Sequence, residues 1–156
     1  MGIMNVDQNI HFVPLRVTTT DTATFSSKCI NMKLYEKVQF IIHFGTVGGT
    51  NALTVAQSTG TTMAGATAIA ARYRLSAAAG TDTMGATTAL ESTGLTLTYG
   101  SYTLLTLIVD VDSSDMINES APYVGLTFTG TGSMVNTLFA LCWPKYPKET
   151  NASALT

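Results

Sequence analysis

The sequence predicts an all-β chain folded as an antiparallel β-sandwich or barrel, and three observations carry that prediction. Apolar residues recur with a period of two along most of the chain, as in strands with one face buried. Glycine, threonine and serine collect between the alternating stretches, at the spacing of turns between short strands. Helical signals are scarce: the alanine-rich pieces at 63–71 and 76–79 are broken or bounded by glycine and threonine, so loops or one short turn are expected there.

The elements follow in order. Val13, Leu15 and Val17, then Phe25, Ser27 and Cys29, give two weak strands. Val38, Phe40, Ile42 and Phe44 share one face of a strong one. The glycine-rich residues 45–51 then suit a turn, and Leu53 and Val55 read as the return strand of a hairpin. Ile69, Ala71, Tyr73 and Leu75 alternate with Ala70, Arg72 and Arg74, a half-buried strand with a basic outer face. Leu95, Leu97 and Tyr99 alternate with threonines. The strongest strand spans residues 102–112, with Leu105, Leu107, Val109 and Val111 on one face and Leu104 and Ile108 behind. Residues 113–120 suit a single turn capped by serine. Val124, Leu126 and Phe128 form the next strand, and Val135, Thr137, Phe139, Leu141 and Trp143 the last.

Composition excludes several functions. The 156 residues fit one domain, and charged residues make up only 12% against about 25% in ordinary soluble domains. The deficit is filled largely by 27 threonines and 13 glycines. A net charge of −2 rules out a nucleic-acid binder that works through a basic surface. The longest apolar run, residues 104–109, is far short of the roughly 20 residues that span a bilayer. Residues 1–10 carry no secretory signal, so Cys29 and Cys142 are expected to be free, buried thiols, although their number permits one bridge. Residues 1–80 carry a net +3 and residues 81–156 a net −5. That split allows copies to join head to tail, or strands of the two halves to interleave and mix their charges.

No catalytic constellation emerges. His11 lies near the N-terminus and His43 on the outer side of a strand, and no Gly-x-Ser-x-Gly elbow or Cys–His pairing accompanies them. Residues 45–49 lack the Gly-Lys-Ser/Thr and the helix that a phosphate loop needs. Asp110, Asp112 and Asp115 form the one carboxylate cluster; a solvated strand end is the simple expectation, with calcium as the rival. Tyr99, Tyr102, Tyr123 and Trp143 are spaced as core or interface anchors, or as a sugar platform.

The ends differ from the middle. Residues 1–11 alternate poorly, and the Pro-Lys-Tyr-Pro segment after Trp143 cannot continue inside a sheet because proline donates no ladder hydrogen bond. The chain divides into an N-terminal arm (1–11), a β-sandwich domain (12–143) and a C-terminal tail (144–156). Met4, Val6, Ile10 and Phe12 are the candidate anchors of the first arm, and Trp143, Pro144, Tyr146 and Pro147 those of the second, each placed against a neighbouring molecule.

Five segments follow one another in a familiar order: VQFIIHFGTVGGTNALTVAQSTGTT, ARYRL, LIVDVDSSDM, APYVGLTFTG and LFALCWPKYP. Over residues 35–147 this order resembles the capsid decoration, or cement, proteins of tailed bacteriophages. It departs from them at the Trp-Pro-Lys before Tyr146, where an arginine is expected beside the tyrosine. The resemblance implies a jelly-roll-like antiparallel β-sandwich with extended N- and C-terminal arms. It implies a non-enzymatic homotrimer on the outer surface of the capsid, assembled in the host cytoplasm, that clamps the major capsid protein and stiffens the shell. No cofactor, metal, nucleic acid or membrane enters that expectation. The rival expectations are a carbohydrate- or receptor-binding sandwich of a tail or fibre, and a tail or connector ring of six subunits.

Overall fold

Side chains two residues apart are buried together when their strand lies against a second layer, and Val38, Phe40, Ile42 and Phe44 are all fully buried. They belong to the longest of twelve strands in the computed structural model, which describes residues 9–146. In chain order these are β1 (His11–Asp21), β2 (Phe25–Ser26), β3 (Ile30–Asn31), β4 (Tyr35–Val47), β5 (Asn51–Ser58), β6 (Thr67–Ile69), β7 (Ala71–Leu75), β8 (Thr88–Leu90), β9 (Leu95–Leu97), β10 (Thr106–Asp112), β11 (Tyr123–Gly130) and β12 (Met134–Pro144). They build two antiparallel sheets packed on each other, so the chain is a β-sandwich. The first sheet runs β1-β12-β4-β10-β7-β8, and the second β2-β11-β5-β6, with β3 also on β11 and β9 on β5. Phe40, Phe44, Leu107 and Val109 of the first sheet join Leu53, Val55, Leu126 and Phe128 of the second in one core. Each such side chain contributes about 1.5–3 kcal/mol by leaving water.

Residues 45–51 do not close a hairpin. β4 runs on to Val47, and β5 lies in the opposite sheet. β4 pairs with β12 and β5 with β11, so that Val47 faces Met134 and Asn51 faces Gly130. One two-stranded ribbon therefore bends over and gives half of itself to each sheet, which is the jelly-roll winding. The reason is burial: β4 and β5 each bear a full apolar face, and stacking across the sandwich covers both. At the bend the two chains cross with almost nothing between them. Gly49 takes a φ of 72°, the Gly48 N–H donates to the Ser133 carbonyl at 2.6 Å, and a Cβ on Gly132 would strike the Gly48 carbonyl oxygen.

Three further expectations are corrected. The single strand expected around residues 69–75 is two, parted at exposed Ala70: Ile69 pairs with Val55 in the second sheet, Tyr73 with Val109 in the first. The alternation hides this break because Ile69 and Ala71 both point into the one core they share. β10 starts only at Thr106; residues 98–105 form a turn that carries exposed Tyr99, and within it Leu104 takes a φ of 60°. The turn after β10 is a short 3-10 segment, Ser113–Asp115, whose cap is Asp112 and not a serine; the Asp112 N–H donates to Asp115 Oδ2 at 2.8 Å.

Candidate interaction surface

The last strand turns its larger side chains outward. Met134, Asn136, Leu138, Ala140 and Cys142 are the buried set, whereas Val135, Thr137, Phe139, Leu141 and Trp143 are half-buried on the outer face of the first sheet. The inner space explains the choice. Ala140 lies opposite Phe40 and Cys142 opposite Val38, so small residues fit where β4 has already filled the core. Across the outer face, Phe12 neighbours Leu141, and the row Pro14, Phe139, Ile41 and Ile108 runs over four strands. The Phe12 and Phe139 rings lie 5.2 Å apart, and the Lys37 ammonium sits 5.7 Å above the Trp143 ring. An apolar band thus occupies a surface that an isolated sandwich would give to polar groups.

Beside the band lies a closed ionic cluster. Asp110, only 6% exposed, accepts hydrogen bonds from Gln39 Nε2 at 2.7 Å and Arg74 at 3.5 Å, with Lys37 Nζ 3.1 Å away. Arg72 pairs with Asp112 and, at 3.3 Å, with Asp115. Asp110 is therefore not part of a solvated strand end, because three donors from β4 and β7 cover it. The same pairs join the basic first half of the sequence to the acidic second half within one molecule, so no charge imbalance remains here to drive a head-to-tail contact. Each of the three carboxylates faces a cation, and among the described residues no cluster of histidine, cysteine, aspartate or glutamate is arranged to hold a metal ion.

The nucleophilic groups are buried or diverted. Cys29 and Cys142 are both free and buried, and burial pushes their thiols up to about 11 and about 12, away from the thiolate form. Cys29 lies 3.2 Å from Met63 Sδ. His11 Nδ1 shares a hydrogen bond of 2.7 Å with the Tyr35 hydroxyl, and His43 Nδ1 one of 3.1 Å with Thr106 Oγ1. Burial, reinforced by neighbouring Cys142, raises Tyr35 to about 12. The four aromatics of the suggested platform are spread over three elements: Tyr99 projects from the 98–105 turn, Tyr102 of the same turn packs edge-on against Phe44, Tyr123 opens β11 and Trp143 lies on β12.

Of the candidate contact residues, the structure brings Phe12 and Trp143 to one face, on neighbouring strands. Ile10 is half-buried just before β1, Pro144 ends β12 opposite Tyr35, and Tyr146 is exposed beyond it. Met4, Val6 and Pro147 lie outside the described residues. Ile41, Ile108, Phe139 and Leu141 were not among the candidates. The signal that could have found them is the other parity of the last strand, whose alanine, cysteine and asparagine are the natural partners of a crowded β4.

Comparison of the chain with protein-family models, with curated proteins and with solved structures finds no match.

Proposed function

We propose that this chain is a non-enzymatic structural protein of a virion, which binds the outer surface of a phage capsid as a homotrimer and stabilises the shell. The observation that carries the reading is the apolar band of Phe12, Phe139, Leu141 and Trp143 on the outer face of the first sheet. An apolar band of this kind is characteristic of a surface that a protein partner covers. The low charge of the chain and its many hydroxyls support the same reading, since hydroxyl groups enter a protein interface without the desolvation cost of ions. On a pressurised shell the work is mechanical. A clamp across neighbouring units raises the free energy of separating them, and multivalent attachment makes modest contacts count together.

The test uses the purified full-length chain of 16.5 kDa and expanded, undecorated heads of a tailed phage. The expected result is a light-scattering mass of three chains, co-sedimentation with the heads, and density at three-fold positions in particle images. A chain that neither associates nor sediments with heads overturns the reading. A mass of six chains points instead to a tail or connector ring, and retention on a glycan array to a receptor-binding sandwich.

A further inference from the structure

β1 borders the first sheet and so owns two surfaces, a share of the outer face and an edge that is free among the described residues. The face displays Phe12 and Pro14 next to Phe139, Leu141 and Trp143. With strands about 4.8 Å apart and about 3.3 Å per residue, the five strands from β1 to β7 make a face of about 20 by 25 Å. Covering all of one such face buries about 1,000 Å² in total, the lower bound for a specific interface; an edge covers part of it, and the two contacts that each copy makes in a ring together reach that range. Its charges are already spent on one another: Lys37, Arg72 and Arg74 are closed on Asp110, Asp112 and Asp115. Identical copies therefore meet there without repulsion.

The free edge has matching properties. A shallow concavity of about 530 Å³ runs along it, lined by Pro14, Leu15, Arg16, Val17, Thr19 and Lys28. Val17 is 77% exposed, and Arg16 is tied to Asp21 and stacked 4.1 Å from the Phe25 ring, so the middle of the edge presents methyl groups and hydroxyls. This edge does not accept an added strand. Pro14 has no N–H, and the register of β1 slips between Pro14 and Arg16 and again between Arg16 and Thr19. What docks there must do so by side-chain packing.

Building on the self-assembly proposed above, we infer that the outer face of the first sheet in one copy packs against the free edge of β1 in the next. A face and the edge that borders it point in different directions, so the contact is heterologous, the type that a three-fold rotation closes into a ring. Packing face on face would stop at two copies and leave the edge with its exposed Val17 bare. Each copy uses both surfaces, which doubles the area that holds it in place.

The test compares the light-scattering masses of the wild type, Val17→Asp on the edge and Phe12→Glu on the face, both side chains being more than half exposed. Circular dichroism checks that each variant folds, and Phe139→Glu is the second variant for the face. The expected result is a three-chain wild type, one-chain variants, and a two-chain complex when Val17→Asp and Phe12→Glu are mixed in equal amounts. That mixture keeps one intact face and one intact edge, which is enough for a single contact. The inference is overturned if the wild type is a single chain, if Val17→Asp keeps the wild-type mass, or if the mixture stays at one chain. Head binding by the wild type is scored separately: a three-chain protein indifferent to Val17→Asp loses the edge contact and keeps the proposed function, whereas failure to bind heads removes that function whatever the mass.

Discussion

Cys29, Cys142 and Tyr35 are acids held neutral inside the sandwich, at about 11, 12 and 12 against ordinary values of 9.0, 9.0 and 10.0. An unfolded chain gives up these protons first as pH rises, so the stability they contribute is complete below pH 9.0 and declines from there towards about 12. Thermal melting between neutral and alkaline pH is expected to show that decline, and to show less of it in Cys142→Ala. In the native protein at neutral pH neither thiol is expected to react with a maleimide, while both react in denaturant, as counted by mass spectrometry. Leu104 poses the opposite case, a residue in a conformation it disfavours. Its φ of 60° costs a side chain with a Cβ about 1–2 kcal/mol. Glycine there is expected to raise stability by up to about 1 kcal/mol in urea titration, once its greater freedom in the unfolded chain is subtracted. If Leu104→Gly is less stable than the wild type, the turn holds the leucine through contacts that outweigh the strain.

Among the elements, β12 gives the sharpest contrast. Phe40 and Phe139 are both aromatic and both on alternating strands, yet the first is fully buried and the second lies on the outer face. Phe40→Ala is expected to cost about 3–5 kcal/mol, and Phe139→Ala under about 1 kcal/mol in the isolated chain, each measured by urea denaturation. Equal losses would mean that the parity of β12 is reversed. The period-two pattern of β4, β5 and β11 was legible because each of these strands puts most of its apolar residues on one side. The pattern of β12 is apolar on both sides, and then only volume decides which side is inner; that information sits in β4, a hundred residues earlier in the chain. The split between β6 and β7 was hidden for a related reason. Alternation reports distance from the core, and a strand that passes from one sheet to the other never leaves it. The ionic cluster was half legible: Arg72, Arg74, Asp110 and Asp112 were marked by type, but only the pairing of β7 with β10 and of β10 with β4 shows that they neutralise one another.

For the molecule as a whole, the distribution of charge decides how association responds to solution conditions. The ion pairs of the first sheet close within one chain, and the surface offered to neighbours is apolar and hydroxylated. The assembled mass is therefore expected to stay constant from about 0.05 to about 0.5 M salt, where screening would dissolve contacts between exposed ions. A mass that falls as salt rises would place the contacts on exposed charges such as Lys33 or Glu36 instead. The phage-head reading and the ring inferred for β1 both depend on this.

The bent ribbon carries a kinetic penalty as well as a shape. Val47 cannot meet Met134, nor Asn51 meet Gly130, until the roughly 80 residues between them have been synthesised. Pairings so remote in sequence make nucleation slow, and the same entanglement obstructs escape once the bend has closed over its crossing glycines. Such a protein is expected to assemble its fold late and to lose it slowly, which suits the once-fitted structural role proposed above.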